Sequence, residues 1–242
     1  MQGYEYKNLK HMKRSDIFII LFLLALFTPF ILSESLYNHY DRFYAGYPFI
    51  SSFIKFAILA TTGELIGLRI RTGKYTAPGF GILPRAFVWG ILGITIQAAF
   101  IIFARGVPIL LDFAGLSGSQ EAMEGSFTAR KVVVAFSISA LLNVFYAPVL
   151  MTVHKITDSH IDMTGGTVKG FFSRIQVSRI LKNIDWDTHY GFVLKKTIIF
   201  FWIPAQTINF MMPEQFRVLI AAVYGIILGI ILAFAALSKA DV

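Results

Sequence analysis

The sequence predicts an all-α fold, a polytopic bundle of about six transmembrane helices with both termini on one positively charged face. Three observations carry that expectation: a shortage of charge, apolar runs long enough for spanning helices, and a one-sided distribution of basic residues. Of the 242 residues, 15% are charged and 56% hydrophobic, against about 25% charged in an ordinary soluble domain. The runs exceed the roughly 10 residues of a barrel strand and do not alternate, which selects helices. No separate soluble domain is evident, so residues 1–242 read as one membrane domain.

Six segments stand out: Ile17–Leu32, Phe49–Leu68, Ala86–Ala104, Val132–Val153, Thr197–Met212 and Val218–Leu237. A helix needs about 20 residues to cross the hydrocarbon core. The first and fifth are shorter and need flanking residues; Gly191–Leu194 extends the fifth if Lys195 and Lys196 reach back to the headgroups. With this count, sixteen basic residues fall on one side, in the N-terminal segment, the Arg69–Arg85 loop, the Lys155–Lys196 loop and the tail. Only Arg42, Arg105, Arg130, Lys131 and Arg217 fall on the other, and Lys55 lies inside a span. Such a bias sets orientation and accounts for the formal charge of +8 without invoking nucleic acid.

Lys13 and Arg14 ahead of the first run also suit a secretory signal peptide. No small-x-small cleavage site follows, so a retained signal anchor is expected. The third loop is Gly-rich and acidic, with Val107–Leu111 placed at the interface. The longest loop, Thr157–Tyr190, opens on a Thr164-Gly-Gly-Thr turn. Its apolar positions fall on opposite sides at helical spacing, which argues against a single amphipathic helix.

Ionisable groups in a span cost roughly 2.5–3.5 kcal/mol on insertion scales and need an account. Lys55 is near enough to one end to snorkel. Glu64 lies deeper, and nine residues from Lys55 is about 13.5 Å and half a turn, too far to pair in one straight helix. Glu64 is either a pore-lining or proton-coupled carboxylate, or a rim group reaching Arg69 or Arg71. Polar stripes recur in other spans: Trp89, Gly93 and Gln97; Ser139, Asn143 and Tyr146, ending near His154; and Trp202, Gln206 and Asn209. These serve either as interhelical glue, at about 0.6 kcal/mol or more each, or as pore lining. Pro204 frees the carbonyl of Phe200, which then needs another partner. Small residues, Gly63 with Gly67 and Ala221, Gly225, Gly229 and Ala233, allow close packing within the bundle or a homo-oligomer contact.

Catalytic and cofactor signatures are missing. The chain has no cysteine, its five histidines lack metal-ligand spacing, and no Gly-x-Ser-x-Gly or phosphate-loop lysine is present. His154 with Asp158, or His160 with Asp162, can be drawn as an acid–base pair, but no nucleophile stands nearby. No enzyme activity, metal or cofactor is expected.

Trp202-Ile-Pro204-Ala-Gln206-Thr-Ile-Asn209-Phe210-Met-Met-Pro213-Glu-Gln-Phe-Arg217 resembles the C-terminal signature of the Mpv-seventeen and peroxisomal membrane protein family. That signature is Trp-Pro, then Gln, Asn-Phe, Pro and Arg, followed by one last apolar span. The resemblance covers residues 185–239 well, with Asp185-Trp186 at its start, and residues 60–150 in patches around Gly63-Glu64, Arg69, Arg71, Gly81, Pro84 and Trp89. The chain departs from the pattern in the residue between Trp202 and Pro204 and in both proline spacings, each one short. It also has Asn143 but no Asp-Gln in the middle span, Ala86 or Phe87 where a His is usual, and an extra N-terminal span. The resemblance implies a channel or pore for small solutes in a mitochondrial inner or peroxisomal membrane. The residues alone allow a bacterial inner membrane equally.

The resulting expectation is a channel or pore-like transporter whose partners are the bilayer and a small solute of unknown identity. Its pore-lining or signature residues are Glu64, Gln97, Asn143, Trp202, Pro204, Gln206, Asn209, Pro213 and Arg217, with Arg217 and Lys55 setting charge at the mouth. The alternative is a non-transporting, membrane-organising or lipid-binding protein. That reading expects the polar stripes to pack tightly, with no cavity between them.

Overall fold

A computed structural model describes residues 13–239, and these are helical nearly throughout. The basic residues Lys7 and Lys10, and His11, lie outside the described residues. In chain order the helices are α1 (Arg14–Leu32), α2 (Glu34–Gly46), α3 (Pro48–Thr72), α4 (Ile82–Phe113), α5 (Ser119–Glu124), α6 (Ala129–Phe145) and α7 (Ala147–Met163). Three short turns follow, α8 (Val168–Phe171), α9 (Val177–Asn183) and α10 (Trp186–Thr188). A π-helical stretch, His189–Trp202, then leads into α11 (Ile203–Phe210) and α12 (Glu214–Lys239).

Local chemistry sets the boundaries. Ser33 ends α1 and starts α2, its hydroxyl accepting from the Leu36 N–H. The chain bends by 89° there. Pro48 opens α3 in the first turn, where its missing N–H costs nothing. Gly73 closes α3 at φ 74°, the left-handed conformation that terminates helices and that glycine adopts without strain. Thr128 caps α6 by accepting from the Lys131 N–H at 3.1 Å. Pro148 in the first turn of α7 forces a break at Tyr146, and α6 and α7 meet at 42°.

α3 forms the axis of the bundle, packed chiefly on α4 and α12, with α6 and α11 closing the far side. Its partners share a core of Phe56, Leu59, Ile96, Phe100, Val134, Ile138, Leu142, Phe210 and Val218. Polar side chains lie inside, including Ser52, Gln97, Ser139, Asn143, Gln206 and Asn209, while Ile102, Val144 and Phe200 point outward. This inside-out distribution suits an apolar solvent. Pro48–Thr72, Ile82–Phe113 and Glu214–Ala233 are each long and apolar enough to cross a membrane. The count reaches five if Arg14–Phe30 with Glu34–Gly46, and Ala129–Phe145 with Ala147–Met163, each form one bent span. The helices are compatible with an integral membrane protein.

Several expected boundaries shift. Val107–Leu111 is not an interfacial loop but the last turns of α4, because no residue before Ala114 ends the helix. The fourth segment, Val132–Val153, is two helices rather than one, for the proline reason given above. The fifth, Thr197–Met212, straddles the junction of the π-helical stretch with α11. Pro204 lies where the π-helical stretch runs on into α11 without a break, so its missing N–H leaves a carbonyl of the preceding turn without its helical partner. The Ser139 and Thr207 hydroxyls both donate to the Ile203 carbonyl at 2.7 Å. The glycines Gly63 and Gly67 pack within the chain, Gly63 on Ile226 and Gly67 near Gly229 of α12.

Gly93 lies at a close approach of α3 and α4. A Cβ there would lie 2.6 Å from the Ser52 carbonyl oxygen and 2.7 Å from Phe56 Cβ. Gly93→Val is therefore expected to destabilise the bundle by about 1–3 kcal/mol or more through overpacking. The thermal melt of the detergent-solubilised variant measures it, and an unchanged melting temperature would contradict this packing.

Candidate functional site

At the end of the bundle where α3 finishes and α4 begins, Arg85 organises a charged network. Its Nη1 donates to Glu64 Oε2 at 3.0 Å and to Asp158 Oδ1 at 2.6 Å; its Nη2 donates to Asp162 Oδ1 at 2.8 Å. Nε donates to the Phe80 carbonyl at 2.7 Å, and the guanidinium lies 4.5 Å from the Phe80 ring centre. Glu64 Oε1 accepts from Trp89 Nε1 at 2.8 Å. His154 Nε2 lies 3.1 Å from the same oxygen, so an ionised Glu64 requires the imidazole to donate there. The Trp89 and His154 rings are 4.2 Å apart.

Three carboxylates thus share one guanidinium. Helical spacing supplies them: His154, Asp158 and Asp162 recur every four residues along α7 and face one side. Two glycine turns hold α7 against the start of α4. Gly166 has φ 65°, and a Cβ on it would come within 2.4 Å of the Gly79 carbonyl oxygen, so the two loops touch backbone to backbone.

Glu64, His154 and Asp158 offer donor atoms within 4.8 Å of one another, which is metal-ligand spacing. The same carboxylates already hold Arg85, so a metal ion there would compete with the guanidinium. Neither expected partner of Glu64, Arg69 or Arg71, is the one it takes. Arg69 instead forms a two-pronged pair with Asp16 at 2.8 and 2.7 Å, fastening α1 to the end of α3. His160 belongs to no acid–base pair; its Nε2 lies 3.0 Å from the Phe171 carbonyl oxygen.

From this network a cavity of about 570 Å³ runs into the bundle. Its walls include four of the expected residues, Glu64, Asn143, Trp202 and Gln206. Gly225 also faces it, with no atom within 4 Å of where a Cβ would stand. A second cavity of about 540 Å³ occupies the opposite half, between Tyr44, Gln97, Arg105, Glu124, Glu214 and Arg217. Gln97 is on this side, accepting from Ser52 Oγ at 3.0 Å. Phe100 lines both cavities. It is buried and meets Phe210 edge to face, centroids 5.1 Å apart.

Pro204, Asn209 and Pro213 line neither cavity. Asn209 is fully buried and bridges Gln206 to the Arg217 carbonyl. Pro204 and Pro213 are exposed, and Pro213 directly precedes α12. Arg217 lines the second cavity but also donates to the Met212 and Phe210 carbonyls at 3.1 and 3.2 Å, closing the C-terminus of α11. Lys55 is at no mouth. It is buried, with Nζ 4.8 and 4.7 Å from the ring centres of Tyr40 and Tyr44 and without a hydrogen-bond partner. Its exposed hydrophobic neighbours gave no hint of this cage, because α2 carries no long apolar run.

Asp185, where the resemblance begins, caps α10 outside the apolar helices. Hydrogen bonds from the Thr188 hydroxyl and N–H hold its carboxyl below the usual range. No family model, curated protein or solved structure matches this chain.

Proposed function

We propose that this chain is an integral membrane transport protein that passes small solutes, with six spans and both termini on the positively charged face. The observation that carries the reading is the pair of cavities in opposite halves of the bundle, separated at Phe100. Polar side chains from four separate elements open on the larger one, which is more than packing glue requires. The Arg85 network stands at its end, where it sets the charge that an entering solute meets. The cluster contains no nucleophile, so transport rather than catalysis is the reading. The sequence resemblance to the Mpv-seventeen family points the same way and suggests a mitochondrial inner or peroxisomal membrane.

Purified protein in planar bilayers or liposomes provides the test. Conductance or solute uptake is expected, and Glu64→Gln is expected to change it, since the substitution weakens the acceptor shared by Arg85, Trp89 and His154. No opening at any voltage or pH, and no uptake, would support the alternative of a membrane-organising or lipid-binding protein.

A further inference from the structure

The larger cavity presents polar atoms that the protein leaves unused, and a chain of hydrogen bonds fixes which atoms they are. The Arg217 carbonyl only accepts, so the Asn209 atom 2.9 Å from it is the amide nitrogen. That nitrogen also donates at 2.7 Å to Gln206, which makes the acceptor Oε1 and leaves Gln206 Nε2 free. In the same way Asn143 Nδ2 donates to the Ser139 carbonyl at 2.9 Å, leaving Asn143 Oδ1 free. Gln206 and Asn143 are 5% and 3% exposed, and both line the cavity. Neither Gln206 Nε2 nor Asn143 Oδ1 has a hydrogen-bond partner among the described residues. Trp202 lines the same cavity with its ring, its Nε1–H being turned away into the packed interior.

We propose that Asn143 and Gln206, beside the Trp202 ring, form a binding belt for a small uncharged polyol. The belt offers a donor from Gln206 and an acceptor from Asn143, and a hydroxyl can both donate and accept. All three groups are neutral. Of the two arginines on the cavity wall, Arg71 is exposed to solvent and Arg85 is consumed by three carboxylates and a carbonyl. An ion entering the belt would exchange its hydration for neutral groups and apolar walls, which is costly. A polyol gives up far less, because each hydroxyl replaces one bond to water with one to the belt.

This inference rests on the transport reading, and the experiment separates the two. Liposomes holding the purified protein are tested for swelling in erythritol, in choline chloride and in sodium glycerate. The wild type is expected to admit erythritol well ahead of either salt. Gln206→Glu keeps Oε1 for Asn209 but turns the free donor into an acceptor. Asn143→Leu keeps nearly the same side-chain volume and removes the free acceptor. Each is expected to slow erythritol about fivefold, the equivalent of one hydrogen bond, in protein that a thermal melt shows to be folded. If the wild type admits nothing, the transport reading fails. If it admits all three solutes equally, or if the folded variants admit erythritol at the wild-type rate, the belt is overturned and the transport reading stands. Should Gln206→Glu fail to fold, Asn143→Leu alone decides.

Discussion

Arg85→Leu is expected to be among the most damaging single substitutions in the chain. The guanidinium is the shared partner of Glu64, Asp158 and Asp162. Removing one side of a buried ion pair costs about 3–5 kcal/mol, because the charge left behind has neither water nor a counter-ion. Glu64 and Asp158 carry most of that cost, since their side chains are largely buried, whereas the Asp162 side chain is 62% exposed and loses little. Arg85→Lys is expected to fall between the two. A single ammonium keeps the charge but cannot reproduce a planar fork that reaches two helices and the Phe80 carbonyl together. Thermal melts of the three proteins in detergent give the comparison. A leucine variant as stable as the wild type would mean that the network does not hold α3, α4 and α7 together.

Phe100→Ala is expected to have the largest effect on transport. Phe100 is the residue common to both cavities, and shortening it to a methyl removes the ring that divides them. Solute uptake is expected to rise on the order of tenfold, as for a barrier lowered by about 1.4 kcal/mol. The same change should cost about 3–5 kcal/mol of stability, since the ring is buried against Phe210. Phe100→Leu, which retains more of the buried volume, should lose less stability and leak less. Uptake that is unchanged in a folded alanine variant would place the division elsewhere.

The helical class, the principal apolar segments and the odd position of Glu64 were legible because each is written locally, in run length and hydropathy. Asn143, Trp202 and Gln206 were legible too, and they do meet at one cavity, because polar residues on apolar helices have few places to go. Gln97 shares their chemistry but turns to the other half of the bundle, a matter of helix rotation that spacing alone does not set. Arg85 was missed, having been counted among rim cations. Its partners lie 21, 73 and 77 residues away, brought together by the packing of α3 and α7 on α4 and by the contact of two glycine turns. A signal was present in the four-residue recurrence of His154, Asp158 and Asp162. Without Arg85 in place, it read as an acid–base pair lacking a nucleophile. Helix α2 escaped notice because it is amphipathic rather than apolar, and the break at Tyr146 because Pro148 lies inside what hydropathy draws as one segment.

The chain contains no cysteine, so single cysteines can report which side of a membrane each cavity faces. Gly225→Cys places a thiol in the larger cavity, and Ala104→Cys places one in the second. A small membrane-impermeant thiol reagent is applied to sealed vesicles from one side and then the other. Labelling of the two positions from opposite sides is the expected result, with both becoming reachable from either side when Phe100→Ala is added. Labelling of both from the same side in the unaltered background, or of neither from any side, would contradict a passage divided at Phe100.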